Sequence, residues 1–67
     1  MPEANKPKDD SAVLLIRVWR EPGHASPFRA RLTALSGSGE QTIWSVVAAD
    51  GEQVLDQVRT WLSSLET

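Results

Sequence analysis

The side chains best suited to chemistry in this 67-residue chain are one histidine, a few carboxylates and a serine–glycine segment. His24 lies in a turn-forming stretch where Glu21 is the only nearby carboxylate in sequence, and this spacing does not indicate a catalytic pair. The chain has no cysteine, which excludes a cysteine nucleophile, a thiolate-bound metal and a disulfide. Residues 36–39 are followed by neither a lysine nor a helix start, unlike a phosphate-binding loop. We therefore expect a protein that is not an enzyme and has no cofactor, metal site or small-molecule ligand.

Arginine and tryptophan form the second chemical pattern. Four of the five arginines fall within residues 12–20 and 27–35, and Trp19 lies among them. These two residue types anchor many protein interfaces, and they can also stack on bases and contact phosphates. The net charge of −2 argues against general affinity for nucleic acid, although it is compatible with a local basic patch.

Three segments have the composition of β-strands. Residues 12–20 are rich in leucine and β-branched side chains, and residues 27–35 alternate between two kinds of position. The uniformly apolar positions of both segments are expected to face the core: Ala12, Leu14, Ile16, Val18, Phe28, Ala30, Leu32 and Ala34. Residues 41–48 form a third strand whose alternation is too poor to fix its core face, so that Trp44 can lie on either side. The Pro22–Gly23 pair between the first two strands is typical of a type II turn.

The segment 50–65 predicts an amphipathic helix. Its apolar side chains recur at helical spacing along one stripe: Val54, Leu55, Val58, Trp61, Leu62 and Leu65. Asp50 is a favourable N-cap, and Gln53 three residues later completes a capping-box pattern. A stripe of this kind needs an apolar surface to lie on, and the strands can supply it.

The predicted fold class is therefore α+β, a three-stranded antiparallel β-meander with one C-terminal α-helix packed on one face, in the order βββα. The helix is expected to pack against Leu14, Ile16, Val18, Phe28, Ala30 and Leu32. We expect residues 1–10 to be a disordered N-terminal tail and residues 11–67 to be a single domain. The sequence lacks the apolar segment of a secretory signal and any stretch long enough to span a membrane, which predicts a cytoplasmic protein with no membrane partner.

The other face of the predicted sheet is left uncovered. Its candidate binding residues are Leu15, Arg17, Trp19, Arg29 and Arg31, with Trp44 as a further candidate from the third strand. In the leading interpretation this face is a protein interface, formed with a partner protein or with a second copy in a homo-oligomer. Pairing of edge strands across a two-fold axis is a further route to a homodimer. The alternatives are a nucleic-acid-binding surface, and a surface where arginine stems shield the tryptophans and nothing binds.

Three segments resemble small uncharacterised proteins of high-GC bacteria, namely WREPG at residues 19–23, FRARLT at 28–33 and VVAADGEQVLDQVRTWL at 46–62. The excess of arginine over lysine, five to two, fits that source. The resemblance implies a bacterial protein and carries no function. The βββα order is also similar in topology to the partial ribonuclease-H-like module of HicB-type antitoxins and to the core of double-stranded-RNA-binding domains. The chain lacks the glycine- and cysteine-bearing loop of the first and the lysine-rich helix start of the second, so no binding residue follows from either likeness.

Overall fold

The computed structural model describes residues 11–66, so the tail expected over residues 1–10 lies outside the described part of the chain. The elements are β1 (Val13–Arg20), β2 (Phe28–Leu35), β3 (Thr42–Ala48) and α1 (Gly51–Leu65). Neighbouring strands pair antiparallel in the order β1-β2-β3, and α1 packs on one face of the sheet. The predicted α+β fold is confirmed, with each strand starting one residue later than expected. Within residues 11–66, no helix is both long and apolar enough to cross a bilayer.

Both hairpin connections use a glycine in the left-handed region of backbone space. Gly23 has a φ of 89°, which a type II turn requires at the position after Pro22. Gly39 has a φ of 82°, and its N–H donates to the carbonyl of Ser36 at 2.8 Å. A side chain is disfavoured at such angles, so the two glycines favour the turns that bring consecutive strands together.

The pairing of β3 with β2 decides which face of β3 is buried. Ala34 lies opposite Trp44, and directly paired residues point to the same side of an antiparallel sheet. Trp44 therefore lies on the side that carries α1, where it packs against the core cluster. The sequence left the face of Trp44 open and kept it as a further candidate for the opposite face, and this position on the helix side removes it from that face. A register shift follows, because the next residue of β2, Leu35, pairs with Thr42.

The core between α1 and the sheet is small. Its buried apolar residues are Ala30, Leu32, Ala34 and Ala48. Leu32 is the only large side chain among the described residues that is fully buried. From the helix, Val54 and Val58 pack against this cluster. The fold therefore depends on a few contacts around one leucine.

The helix covers β2 and β3, whereas the expected contacts lay on β1 and β2. It contacts β2 and β3, while Ile16 and Val18 of β1 remain 45% and 56% exposed. The expected packing of the helix on Ile16 and Val18 is therefore wrong, although Leu14 does pack against the core. The reason is geometric: a helix is about 10 Å wide and strands lie about 4.8 Å apart, so one helix covers about two strands. Because only Ala49 and Asp50 separate β3 from α1, the covered strands are β3 and its neighbour β2.

The start of α1 is fixed by side-chain capping, as the sequence predicts. The backbone of Asp50 is extended, and its Oδ1 accepts a hydrogen bond from the N–H of Gln53 at 2.8 Å. Gln53 reaches back in turn, but its Oε1 accepts from the N–H of Ala49 at 2.7 Å instead of from the N–H of Asp50. At the other end the N–H of Glu66 donates to the carbonyls of Leu62 and Ser63.

Replacing Asp50 with alanine is expected to lower the free energy of unfolding by about 1 kcal/mol, because an N–H in the first turn of α1 loses its acceptor. Urea unfolding followed by circular dichroism at the helix signal measures the change. Ser63→Ala is the matched control, since Ser63 is an exposed residue of the same helix. It should change stability by less than about 0.5 kcal/mol. Equal losses in the two variants would contradict a capping role for Asp50.

Candidate interaction face

The side of the sheet away from α1, called the open face below, carries most of the residues singled out by sequence. Leu15, Arg17 and Trp19 of β1 lie directly opposite Thr33, Arg31 and Arg29 of β2. Five of the six candidate residues are thus brought together, and Trp44 is not among them because it lies under α1.

Sequence reasoning missed the contribution of β3 to the open face. Ser45 lies opposite Thr33 and Val47 opposite Arg31, so both share the side of the arginines. Ile43 lies beside the register shift and is 65% exposed, and Val47 is 51% exposed. Within β3 each alternating set contains one polar residue, Thr42 in one and Ser45 in the other, so the sequence offered no signal that separates the two faces.

Trp19 is the one aromatic side chain that the described strands place on the open face. Its indole is half-buried, and its Nε1 donates to Oε1 of Glu21 at 2.9 Å. The ring lines a shallow depression together with Arg17 and Arg31. Arg29 is the direct cross-strand neighbour of Trp19, so three arginines lie on the same face as this one indole.

The three arginines differ in how firmly they are held. Arg29 is tied to its own hairpin, with Nη1 donating to the carbonyls of Ser26 at 3.0 Å and Phe28 at 2.6 Å. Arg31 reaches toward β3, where Nη1 donates to Oγ of Ser45 at 3.2 Å. The side chain of Arg17 makes no hydrogen bond or ion pair with any residue of the described part of the chain. Its guanidinium is therefore the group most available to a partner.

The positive charges of the open face are not neutralised by acidic side chains on the same face. Arg17 lies directly opposite Arg31, and like charges in this position destabilise a sheet by roughly 0.2–1 kcal/mol. The nearest carboxylate on this face is that of Glu21, which already accepts from Trp19. Among residues 11–66 the one ion pair joins Asp56 to Arg59, at 3.1 Å on α1 and on the other side of the sheet. The open face is thus basic, and four of the six acidic residues in the described part of the chain belong to α1 or cap its ends, namely Asp50, Glu52, Asp56 and Glu66.

This arrangement can recognise an anion by charge and a flat surface by apolar contact. Within the described residues, no group of three histidine or acidic side chains is placed to hold a metal ion. No protein-family model, curated protein or solved structure matches the chain.

Proposed function

We propose that this chain is a non-catalytic interaction module that binds an acidic region of a partner protein through the open face. The observation that carries the proposal is the unbalanced pair of Arg17 and Arg31 beside Trp19. The two opposed arginines do not stabilise the fold. A binding role explains their presence, because a partner with negative charge would neutralise both.

Apolar side chains on the same face favour a protein over other anionic partners. Leu15, Ile43 and Val47 are each more than half exposed. Leu15 lies next to Arg17 along the open face of β1, and Val47 lies opposite Arg31. Interface cores combine apolar side chains with tryptophan and arginine in this way, whereas exposed patches of this kind are unusual on a surface with no partner. The phosphate backbone of a nucleic acid offers no apolar surface for these three side chains.

The charge of the open face also argues against a second copy as its partner. A symmetric contact places the same patch on both subunits, so Arg17 and Arg31 would meet a second set of arginines. An acidic surface on a different protein removes this repulsion. The proposed setting is the bacterial cytoplasm, since a chain without cysteine gains no disulfide from an oxidising compartment.

Replacing Arg17 with glutamate is expected to weaken partner binding about 100-fold, because it reverses the most available charge on the open face. The same change should leave stability equal or raise it by up to about 1 kcal/mol, since the new carboxylate would lie opposite the guanidinium of Arg31. A variant that loses binding without losing stability excludes misfolding as the cause. The measurement compares proteins retained from cell extract by the full-length chain and by its variants, followed by titration of the retained protein.

The matched control is Arg20→Glu, an identical charge change on β1 that points to the helix side. This variant should keep the partner. Equal losses in both variants would show a dependence on net charge alone, and retention by Arg17→Glu would contradict the proposal. Titration with single-stranded oligonucleotides at low salt tests the alternative class, because stacking on Trp19 would quench its fluorescence and added salt would reverse it.

A further inference from the structure

The helix side of the sheet has an uncovered apolar strip of its own. Ile16 and Val18 of β1 are 45% and 56% exposed, while Leu55 and Leu62 of α1 are 58% and 44% exposed. Small folded domains stabilise themselves by burying such side chains, and the described part of this chain has one fully buried leucine. The strip is therefore apolar surface of the folded chain that a binding partner could bury.

The two leucines lie on the flank of α1 that faces β1. At about 100° per residue, Leu55 and Leu62 are about 80–100° around the helix from Val54, which packs against the core. Consider the sheet viewed from the helix side, with β3 running upward. In this view the stereochemistry of L-residues, together with the hydrogen bonds of the ladder, places β2 to the right of β3 and β1 to the right of β2. Because α1 runs back over the sheet and winds right-handed, both leucines project to that same flank. The four exposed side chains thus border one groove between α1 and β1.

The backbone edge of β1 beside this groove has unused hydrogen-bonding groups. The N–H of Glu21 donates to the carbonyl of Pro27 at 2.7 Å, which fixes the phase of the β1–β2 ladder. Alternate residues of an edge strand direct their N–H and C=O groups inward and outward. The residues that bond to β2 are Leu15, Arg17 and Trp19, and those whose groups point outward are Leu14, Ile16 and Val18. No hydrogen bond from the described residues reaches the outward groups.

We propose that a second copy of this chain covers the groove by pairing its β1 antiparallel with β1, across a two-fold axis perpendicular to the sheet. With Ile16 on the axis, Leu14 of one copy lies opposite Val18 of the other, and all the outward groups of both strands are matched. A two-fold axis perpendicular to the sheet does not exchange its two faces, so the helices of both copies lie on the same side of the joined sheet. Leu55 and Leu62 of the two copies then approach each other over Ile16 and Val18.

Charge selects this register, and the regular pairing of β1 selects this edge. With Ile16 on the axis, Arg17 lies opposite Leu15 of the second copy, whereas an axis through Arg17 would place two arginines side by side. The β3 edge is a poorer template because its pairing is interrupted at the register shift beside Leu35, and pairing there would leave the groove uncovered. The β1 contact is isologous, so assembly closes at a dimer and joins the two open faces into one surface.

Sedimentation velocity of the full chain over a wide range of concentration tests the proposal, and we expect the mass of a dimer. Ile16→Lys should weaken dimerisation about 100-fold, because two ammonium groups would meet at the axis. The matched control is Ile43→Lys, an identical change at a 65% exposed isoleucine on the other edge strand, and it should keep the dimer mass. If Ile16→Lys fails to fold by circular dichroism, Leu55→Lys on the exposed flank of α1 replaces it and should dissociate the dimer.

A monomer at every concentration would overturn the proposal, as would a dimer that survives the lysine variant of the groove. A dimer lost in Ile43→Lys alone would also overturn it and move the self-interface to the open face. Arg17→Glu is expected to keep the dimer mass while losing the partner protein. Dimerisation through β1 and partner binding through the open face can therefore fail separately.

Discussion

The Leu32→Ala variant is expected to be largely unfolded without denaturant. Leu32 is 0% exposed and lies in the cluster formed with Ala30 and Ala48. Removing a fully buried leucine side chain lowers the free energy of unfolding by about 2–5 kcal/mol, and its small alanine neighbours cannot close the cavity. A domain of this length seldom has more than about 3–5 kcal/mol in total. Circular dichroism during urea titration measures the loss.

Leu15→Ala is the control for this prediction, because the same atoms are removed from a leucine that is 55% exposed on the open face. Its cost should stay below about 1 kcal/mol. All variants need the same protein concentration, since the stability of a dimer depends on concentration. A Leu32→Ala chain with the unfolding midpoint of the wild type would contradict the central role assigned to Leu32.

The strand β2 shows what the sequence could predict. Its two faces differ sharply in chemistry, with Ala30 and Leu32 on one side and Arg29 and Arg31 on the other. A shift of one residue would bury both arginines, so the pattern alone selects the observed orientation. The grouping of Arg29 and Arg31 with Trp19 on one face follows from the same rule applied to β1, and the structure confirms it.

The strand β3 shows where this reasoning stops. Both of its faces are largely apolar, so neither orientation buries a charge and local sequence cannot choose between them. The choice is made by pairing with β2, which places Trp44 opposite Ala34 and then shifts register at Leu35. Register of this kind depends on the second hairpin and the position of a bulge, and these are properties of two strands together.

For a related reason, the sequence could not predict which strands α1 covers. The helical pattern gives one stripe from Val54 to Leu65, but it does not say how far that stripe lies from β1. Helix width and the short connection after β3 set the distance, which leaves Leu55 and Leu62 exposed with Ile16 and Val18. The residues that could not be placed from sequence are thus the ones that form the groove proposed for the second copy.

Trp44→Ala and Trp19→Ala are expected to separate the two faces of the sheet by experiment. Trp44 is half-buried against the core under α1, so its loss should lower the free energy of unfolding by about 2–4 kcal/mol. Trp19 is half-buried on the open face, where its loss removes one hydrogen bond to Glu21 and should cost about 1 kcal/mol. Urea unfolding of both variants at matched concentration gives the comparison.

The loss of affinity for the partner protein should rank these two variants in the opposite order, with the larger direct effect in Trp19→Ala. Trp19→Ala leaves a folded chain whose open face has lost its tryptophan ring, so affinity for the partner protein should fall while the helix signal remains. In Trp44→Ala any loss of binding should follow the fraction of unfolded chain. If Trp44→Ala kept full stability, the register of β3 described above would be wrong, and Trp44 would return to the open face as a candidate contact.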